Sequence, residues 1–332
     1  MDFKKIDKIL ETAPSFRRAQ VKRFIFKNLI EDWEEATSLS KDLRALMSSK
    51  FSLNIEHQRS ESKENNTTKE LITLEDGFQI ETVLMRHEDG RNTVCVSSQV
   101  GCALGCDFCA TGKLGFFRNL TANEIVMQVL LFNRLLKKEG KQVTNVVYMG
   151  MGEPMLNYEN VINSIHFMNN KDVFGLGARK FSISTAGVVE GIKKLIKEPM
   201  EINLAVSIHA PNDKLRTALM PINKKWNLKQ LFTAIDEYIA KTNRRVMLEY
   251  TLIKNVNDSL IEAAQLKELA RNKLCFINLI TYNKTKFYAP PSSAVVKRFA
   301  DYLEKHRVAF TFRQRFGHDI AAACGQLARK KK

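Results

Sequence analysis

"VGCALGCDFCATG", residues 100–112, sets Cys102, Cys106 and Cys109 at the spacing C-x₃-C-x₂-C. Thiolates this close can wrap one compact metal centre. A closed zinc site takes four ligands, and no histidine stands between His87 and His166 to complete one. Three thiolates on a four-iron cubane leave one iron without a protein ligand, and there a small molecule can bind and react. The trio is therefore expected to ligate one 4Fe-4S cluster. The loop follows the apolar run 94–98 and leads into "LTANEIVMQVLLFNRLL", where Thr121 and Glu124 form a capping box at the start of an amphipathic helix.

Outward from that loop the chain alternates. Strands are expected at 94–98, 145–149, 180–185, 202–208, 245–253 and 275–280. Amphipathic helices are expected at 121–138, 158–168, 188–197, 228–241, 259–270 and 293–305. Six βα units in series imply parallel strands joined by right-handed crossovers. The chemistry-bearing residues all stand just after strands, which favours an incomplete (β/α)6 barrel with its site at the C-terminal rim. A last strand-like run, "VAFTFRQRF", precedes the tail. After the second strand, "YMGMGEPMLN" supplies Gly150 and Gly152 for close approach of the backbone to a ligand, and Glu153 for an ammonium group. Ser184, then Ser207 and His209, then Asn283 follow later strands at the same rim.

The remaining segments read differently. Residues 1–50 are expected to form a basic helical accessory domain, in which "SFRRAQVKRFIFKNLI" mixes Phe16, Phe24, Ile25 and Ile30 with Arg17, Arg18, Lys22, Arg23 and Lys27. That cationic face suits phosphates or plain solvent equally. Residues 51–93, with the polar run "EHQRSESKENNTTKE" and Asp-Gly pairs at 76–77 and 89–90, read as a β-hairpin connector. The barrel then covers 94–315 and a tail covers 316–332. The 332 residues carry 52 Lys+Arg against 36 Asp+Glu, a formal net charge of +16 that attracts polyanions. The reading has no membrane span, no secretory leader and no secreted disulfide framework, so the expected location is cytoplasmic. Three further cysteines remain. Cys275 reads as packing on a buried strand, Cys95 lies on the first barrel strand, and Cys324 sits in the small-residue run "AAACGQLA". The last is either an incidental tail thiol or an accessible one able to enter a site.

"CVSSQVGCALGCDFCATGKLGFFRNLTANEI", "MGMGEPMLN", "ISTAG", "SIHAPND", "LMPIN", "NVNDS", "INLI" and "DIAAACGQLA" occur in this order and together resemble the RlmN/Cfr family of radical SAM RNA methyltransferases. The resemblance runs over essentially the whole chain. It implies S-adenosylmethionine (SAM) as methyl donor and radical source, held by Gly152, Glu153, Ser184, Ser207, Ile208, His209 and Asn283 beside the cluster. It implies that Cys324 is methylated and carries the carbon to C2 of an adenine. Cys95 then releases the product by forming a transient Cys95–Cys324 disulfide, with Glu81 accepting a proton. The implied substrates are 23S rRNA and, in some members, the adenine 3′ of a tRNA anticodon. An electron donor and a thiol reductant are the other partners. Pro154 matches the C2 branch, whereas the C8 branch has alanine there. Two departures are visible: Ala321 stands where the family carries an acidic residue, and one extra residue separates Glu81 from Cys95. A non-catalytic iron–sulfur RNA-binding protein is the reading from another class.

Overall fold

The computed structural model describes residues 3–283, 287–314 and 316–327, so residues 328–332 of the expected tail lie outside the described residues. Three helices open the chain: α1 (Lys4–Ile9), α2 (Ser15–Phe26) and α3 (Lys41–Lys50). Phe3, Phe26 and Phe167 cluster with ring centroids 4.9–5.7 Å apart, which seats α1 and α2 on the barrel. Buried Arg134 donates to the carbonyls of Ile30 (2.6 Å) and Leu53 (2.8 Å), satisfying backbone that the interface removes from water. On α2, Lys22 is ion-paired to Asp7 at 2.9 Å, while Arg23 and, just past the helix end, Lys27 are exposed.

Next come β1 (His57–Glu61), β2 (Thr67–Thr73), β3 (Gln79–Arg86) and β4 (Asn92–Cys95), each antiparallel to the one before. They do not stand apart from the barrel. They extend its sheet, because β4 pairs in parallel with β7 (Asn145–Tyr148). The polar run at 56–70 contains all of β1 and the start of β2. With every side chain of β1 exposed, that strand has no apolar alternation to betray it. Between β4 and β7 lie the short hairpin β5 (Gln99–Gly101) and β6 (Phe116–Asn119), which brackets the cysteine loop, and the helix α4 (Ala122–Lys137).

The sheet continues through β8 (Phe181–Thr185), β9 (Asn203–Ser207), β10 (Val246–Leu252), β11 (Cys275–Thr281) and β12 (Phe310–Phe312), all parallel. Six βα units are present, as their apolar strand runs imply. Their helices are α4, α5 (Tyr158–Asn169), α6 (Val189–Leu195), α8 (Leu228–Thr242), α9 (Leu260–Ala270) and α10 (Ser293–Lys305), and a short α7 (Asp213–Leu219) precedes α8. β1 and β12 end the sheet without pairing to each other, so the barrel is partial. The expected first strand is shifted: β4 ends at Cys95, and Val96 continues along β7 through its amide to the Val147 carbonyl (2.9 Å). No described helix is long and apolar enough to cross a membrane.

Candidate active site

A cleft of about 1360 Å³ lies between the N-terminal helices, the β2–β3 turn and the start of α4, and none of the cysteines lines it. Its walls carry both charge signs. The chemistry lies elsewhere. A cavity of about 160 Å³ at the C-terminal ends of the strands is lined by Cys102, Cys106 and Cys109 together with Gly152, Glu153, Ser184, Ser207, His209 and Asn283. Ile208 is not among the lining residues. It is buried in the core, and its amide donates to the Glu249 carbonyl at 3.0 Å.

The cysteine loop is held from several sides. The Cys102 amide donates to the Gly115 carbonyl (2.8 Å), and the Asp107 amide to the Leu219 carbonyl (2.9 Å). The Tyr282 hydroxyl donates to the Phe108 carbonyl at 2.9 Å. Among the described residues no three Cys, His, Asp or Glu side chains converge on one ion position, as a structural zinc would require. A cubane distributes its thiolates over separate irons, and three soft donors on one cavity wall fit such a group. Burial pushes the Cys102 thiol up to about 12 and raises Cys106 still further, so ligation must displace protons there.

The Gly150–Glu153 turn packs against the segment after β4. A Cβ on Gly152 would lie 2.5 Å from Gln99 Cβ, and its φ is +99°. Gln99 Oε1 accepts the Glu153 amide at 2.8 Å. The Glu153 carboxylate is buried, accepting from the Met155 (3.0 Å) and Ala186 (2.8 Å) amides. Desolvation nevertheless pushes it up to about 7. A group of this kind suits a ligand that donates hydrogen bonds or carries positive charge.

His209 adopts φ +53°, and its Nδ1 accepts the Thr251 amide at 3.0 Å. Asn257 of "NVNDS" holds that turn, donating to the carbonyls of His209 (2.6 Å) and Thr251 (2.7 Å). Fully buried Arg216 donates to the Ala186 (2.6 Å) and Ser207 (3.2 Å) carbonyls and to Asn223 of "LMPIN" (2.8 Å), tying two strand ends to one loop. Sequence reasoning quoted these motifs without seeing that they brace the rim.

A second cavity, about 40 Å³, adjoins the first and is lined by Cys95 and Cys324. Cys324, Met149, Ile280, Asn283 and Arg313 line both. Cys95 is buried and Cys324 exposed. The tail that carries Cys324 is tied to the cysteine loop: the Ala110 amide donates to the Gly325 carbonyl (2.9 Å), and the Thr111 hydroxyl to the Leu327 carbonyl (2.6 Å). Asn283 donates to the Cys324 carbonyl at 3.3 Å. Ala321 takes φ +50°, and its carbonyl accepts from Lys69 at 3.4 Å. The same Lys69 is ion-paired to Glu81 at 2.9 Å. Glu81 lies two residues before Val83, so both side chains point to the same face of β3, and Val83 is the register partner of Cys95. Glu81 itself lines neither cavity. Cys275 is half-buried, with its thiol 3.8 Å from the Ala270 carbonyl, away from the site. Arg313 and Glu249 escaped the sequence reading, because a charge within a strand pattern looks like a solvated position.

A family model described as the radical SAM superfamily matches residues 96–266. The chain is 43% identical over 316 residues to the probable dual-specificity RNA methyltransferase RlmN of Dictyoglomus thermophilum, covering 95% of this chain and 90% of that protein. It is 41% identical over 321 residues to the protein of the same name from Geobacillus kaustophilus, covering 96% and 87%. A crystal structure of a radical SAM methyltransferase from Sphaerobacter thermophilus matches with a TM-score of 0.93 at 40% identity, covering 98% of this chain and 97% of that one. The radical SAM superfamily implies a 4Fe-4S cluster and SAM. The chain thus belongs to the RlmN family of radical SAM dual-specificity RNA methyltransferases.

Proposed function

We propose that the protein methylates C2 of an adenine in 23S rRNA, and of the adenine 3′ of a tRNA anticodon, with Cys324 as carbon carrier and Cys95 as the releasing thiol. The observation that carries this reading is the meeting of Cys95 and Cys324. They are 229 positions apart (324 − 95), yet they line one cavity that opens onto the wall of Cys102, Cys106 and Cys109. A space of about 40 Å³ admits little more than a water or two, so it acts as a joint between thiols and not as a ligand site.

Cys102, Cys106 and Cys109 would hold the cluster, and Gly152, Glu153, Ser184, Ser207, His209 and Asn283 would surround SAM, with Ile208 contributing only backbone. The bound groups supply a methyl for Cys324 and a 5′-deoxyadenosyl radical. After the carbon has bonded to adenine C2, Cys95 attacks the Cys324 sulfur. The S–S bond forms as the S–C bond breaks, and the carbon leaves with the electron pair and takes up a proton. Glu81, reached from the tail through Lys69, is the assigned acceptor of the proton lost from C2, and the unpaired electron left on the adduct would pass back to the cluster. The products then require a thiol reductant for the disulfide, and the cluster requires an electron donor. A cytoplasmic location follows from the RNA substrates.

Pro154 favours the C2 branch over C8. The test is anaerobic incubation with SAM, dithionite and a 23S rRNA fragment, followed by nucleoside analysis. 2-Methyladenosine is expected. 8-Methyladenosine would move the chain to the other branch, and absence of both methylated nucleosides and 5′-deoxyadenosine would favour the non-catalytic binding protein.

A further inference from the structure

Arg313 follows β12 and is fixed by its own amide, which donates to the Leu279 carbonyl at 2.9 Å. Its side chain stands in the wall between the two cavities. Nη2 donates to Met149 Sδ at 3.2 Å and Nη1 to Glu249 Oε2 at 3.5 Å. The Glu249 contact is a long ion pair, and the Met149 contact carries no charge. A thioether is a weak acceptor, and the Glu249 carboxylate already takes bonds from Asn278 at 3.0 and 3.2 Å. The guanidinium thus shares its carboxylate partner with Asn278 while facing the cavity of the two thiols. Among the described residues lining the Cys95–Cys324 cavity, Arg313 alone carries a charge.

We propose that Arg313 is a positioning residue for the two-thiol step, the counter-charge that makes Cys95 competent to attack the Cys324 sulfur. The proposal rests on the two-cysteine reading above. Attack requires a thiolate, and the Cys95 site works against one. Burial, with Cys324 adding to it, pushes the Cys95 thiol up to about 12, and Arg313 is the charged neighbour that pulls it back. From the other side, a Cys324 thiolate is the largest influence holding Arg313 in its charged form. Glu249 acts in the opposite sense, because its carboxylate draws on the same guanidinium. The signs therefore differ: removing Arg313 should slow Cys95, and neutralising Glu249 should speed it.

The step can be watched without RNA or SAM. In cluster-loaded enzyme carrying Cys275→Ala, one equivalent of Ellman's reagent converts exposed Cys324 into a thionitrobenzoate mixed disulfide. Cys95 then attacks Cys324 Sγ, the Cys95–Cys324 bond forms, and thionitrobenzoate departs with the electron pair as a coloured anion. The first-order rate of that second release is the readout, with Cys95→Ala as the blank. Arg313→Met should slow it about tenfold, the effect of one unit in thiol pKa. Arg313→Lys should restore most of the rate, and Glu249→Gln should raise it above the parent. An unchanged rate in Arg313→Met overturns the proposal. So does slowing in Glu249→Gln, which is what a merely structural role for the pair predicts; this second arm decides the matter if Arg313→Met loses its cluster. If the parent enzyme shows no second release, the two-cysteine reading itself fails and takes the role of Arg313 with it. Release that ignores Arg313 leaves the reading standing and removes only the proposal.

Discussion

Gly152→Ala should damage this protein far more than one methyl group suggests. The added Cβ would sit 2.5 Å from Gln99 Cβ, 2.7 Å from its Cγ and 2.8 Å from its backbone nitrogen. Gln99 has nowhere to go. Its side chain is buried between the Glu153 amide and Asn119, both at 2.8 Å, and its own amide donates to the Met151 carbonyl at 3.1 Å. Relieving the overlap means moving backbone, at roughly 1–3 kcal/mol for overpacking. The φ of +99° adds a further cost of roughly 1–2 kcal/mol for a residue with a Cβ. The sum is roughly 2–5 kcal/mol, and the displaced turn should carry the Glu153 carboxylate away from the Ala186 amide. Urea unfolding of Gly152→Ala beside Gly177→Ala checks it. At Gly177 a Cβ meets nothing within 4 Å and φ is −63°, so that control should stay within about 0.5 kcal/mol of the parent. If the two variants proved equally stable, the close approach of Gly152 to Gln99 would not exist as described.

Alanine at Cys102, Cys106 and Cys109 together should give a colourless protein without bound iron, since no nearby oxygen replaces a soft thiolate; full iron content in that variant would refute the ligand assignment. Glu153 links the site to pH. Its folded-state pKa of about 7 stands above the ordinary 4.5, so between those values the folded chain keeps a proton that the unfolded chain has lost. Stability of the metal-free protein should thus fall as pH rises through that window, by on the order of 3 kcal/mol, and stay flat above it. Glu153→Gln should lack this slope, which pH-dependent urea unfolding would measure. Lys69→Met should release both Glu81 and the Ala321 carbonyl, loosening the tail, so that iodoacetamide modifies Cys324 faster than in the parent; an unchanged rate would mean that Lys69 does not hold the loop.

The βα alternation was legible because strands such as β9 and β10 are largely buried apolar runs, and because the Thr121–Glu124 capping box marks the start of α4. The cavity wall of three cysteines, two glycines, Glu153, Ser184, Ser207, His209 and Asn283 was legible for a related reason, since each lies at or after the C-terminal end of a strand and parallel strands end on one rim. Pairing between distant segments was less so. The Asp-Gly turns mark local hairpins but do not show that the strand after the second one is the barrel's own β4, through which β1–β3 join the barrel sheet. β1 is held through backbone bonds with its side chains outward, apart from His57 and Arg59, which reach Glu70. The seven residues of α7 span too few turns to show a period. Arg313, Glu249 and Lys69 gain their place in the site from contacts that join distant segments: Arg313 with Glu249, and Lys69 with the Ala321 carbonyl of the tail.

The central claim is that Cys324 bonds the methyl carbon to RNA and Cys95 releases it. Cys95→Ala tests it most directly. Incubated with substrate RNA, SAM and a reductant, that variant should retain its cluster and cleave SAM but stall after attack, accumulating RNA covalently joined at Cys324. Denaturing gel electrophoresis should show a shifted protein band that RNase trims, and mass mapping should locate the adduct on the peptide containing Cys324. Normal turnover by Cys95→Ala, or a stall with no adduct, would contradict the account.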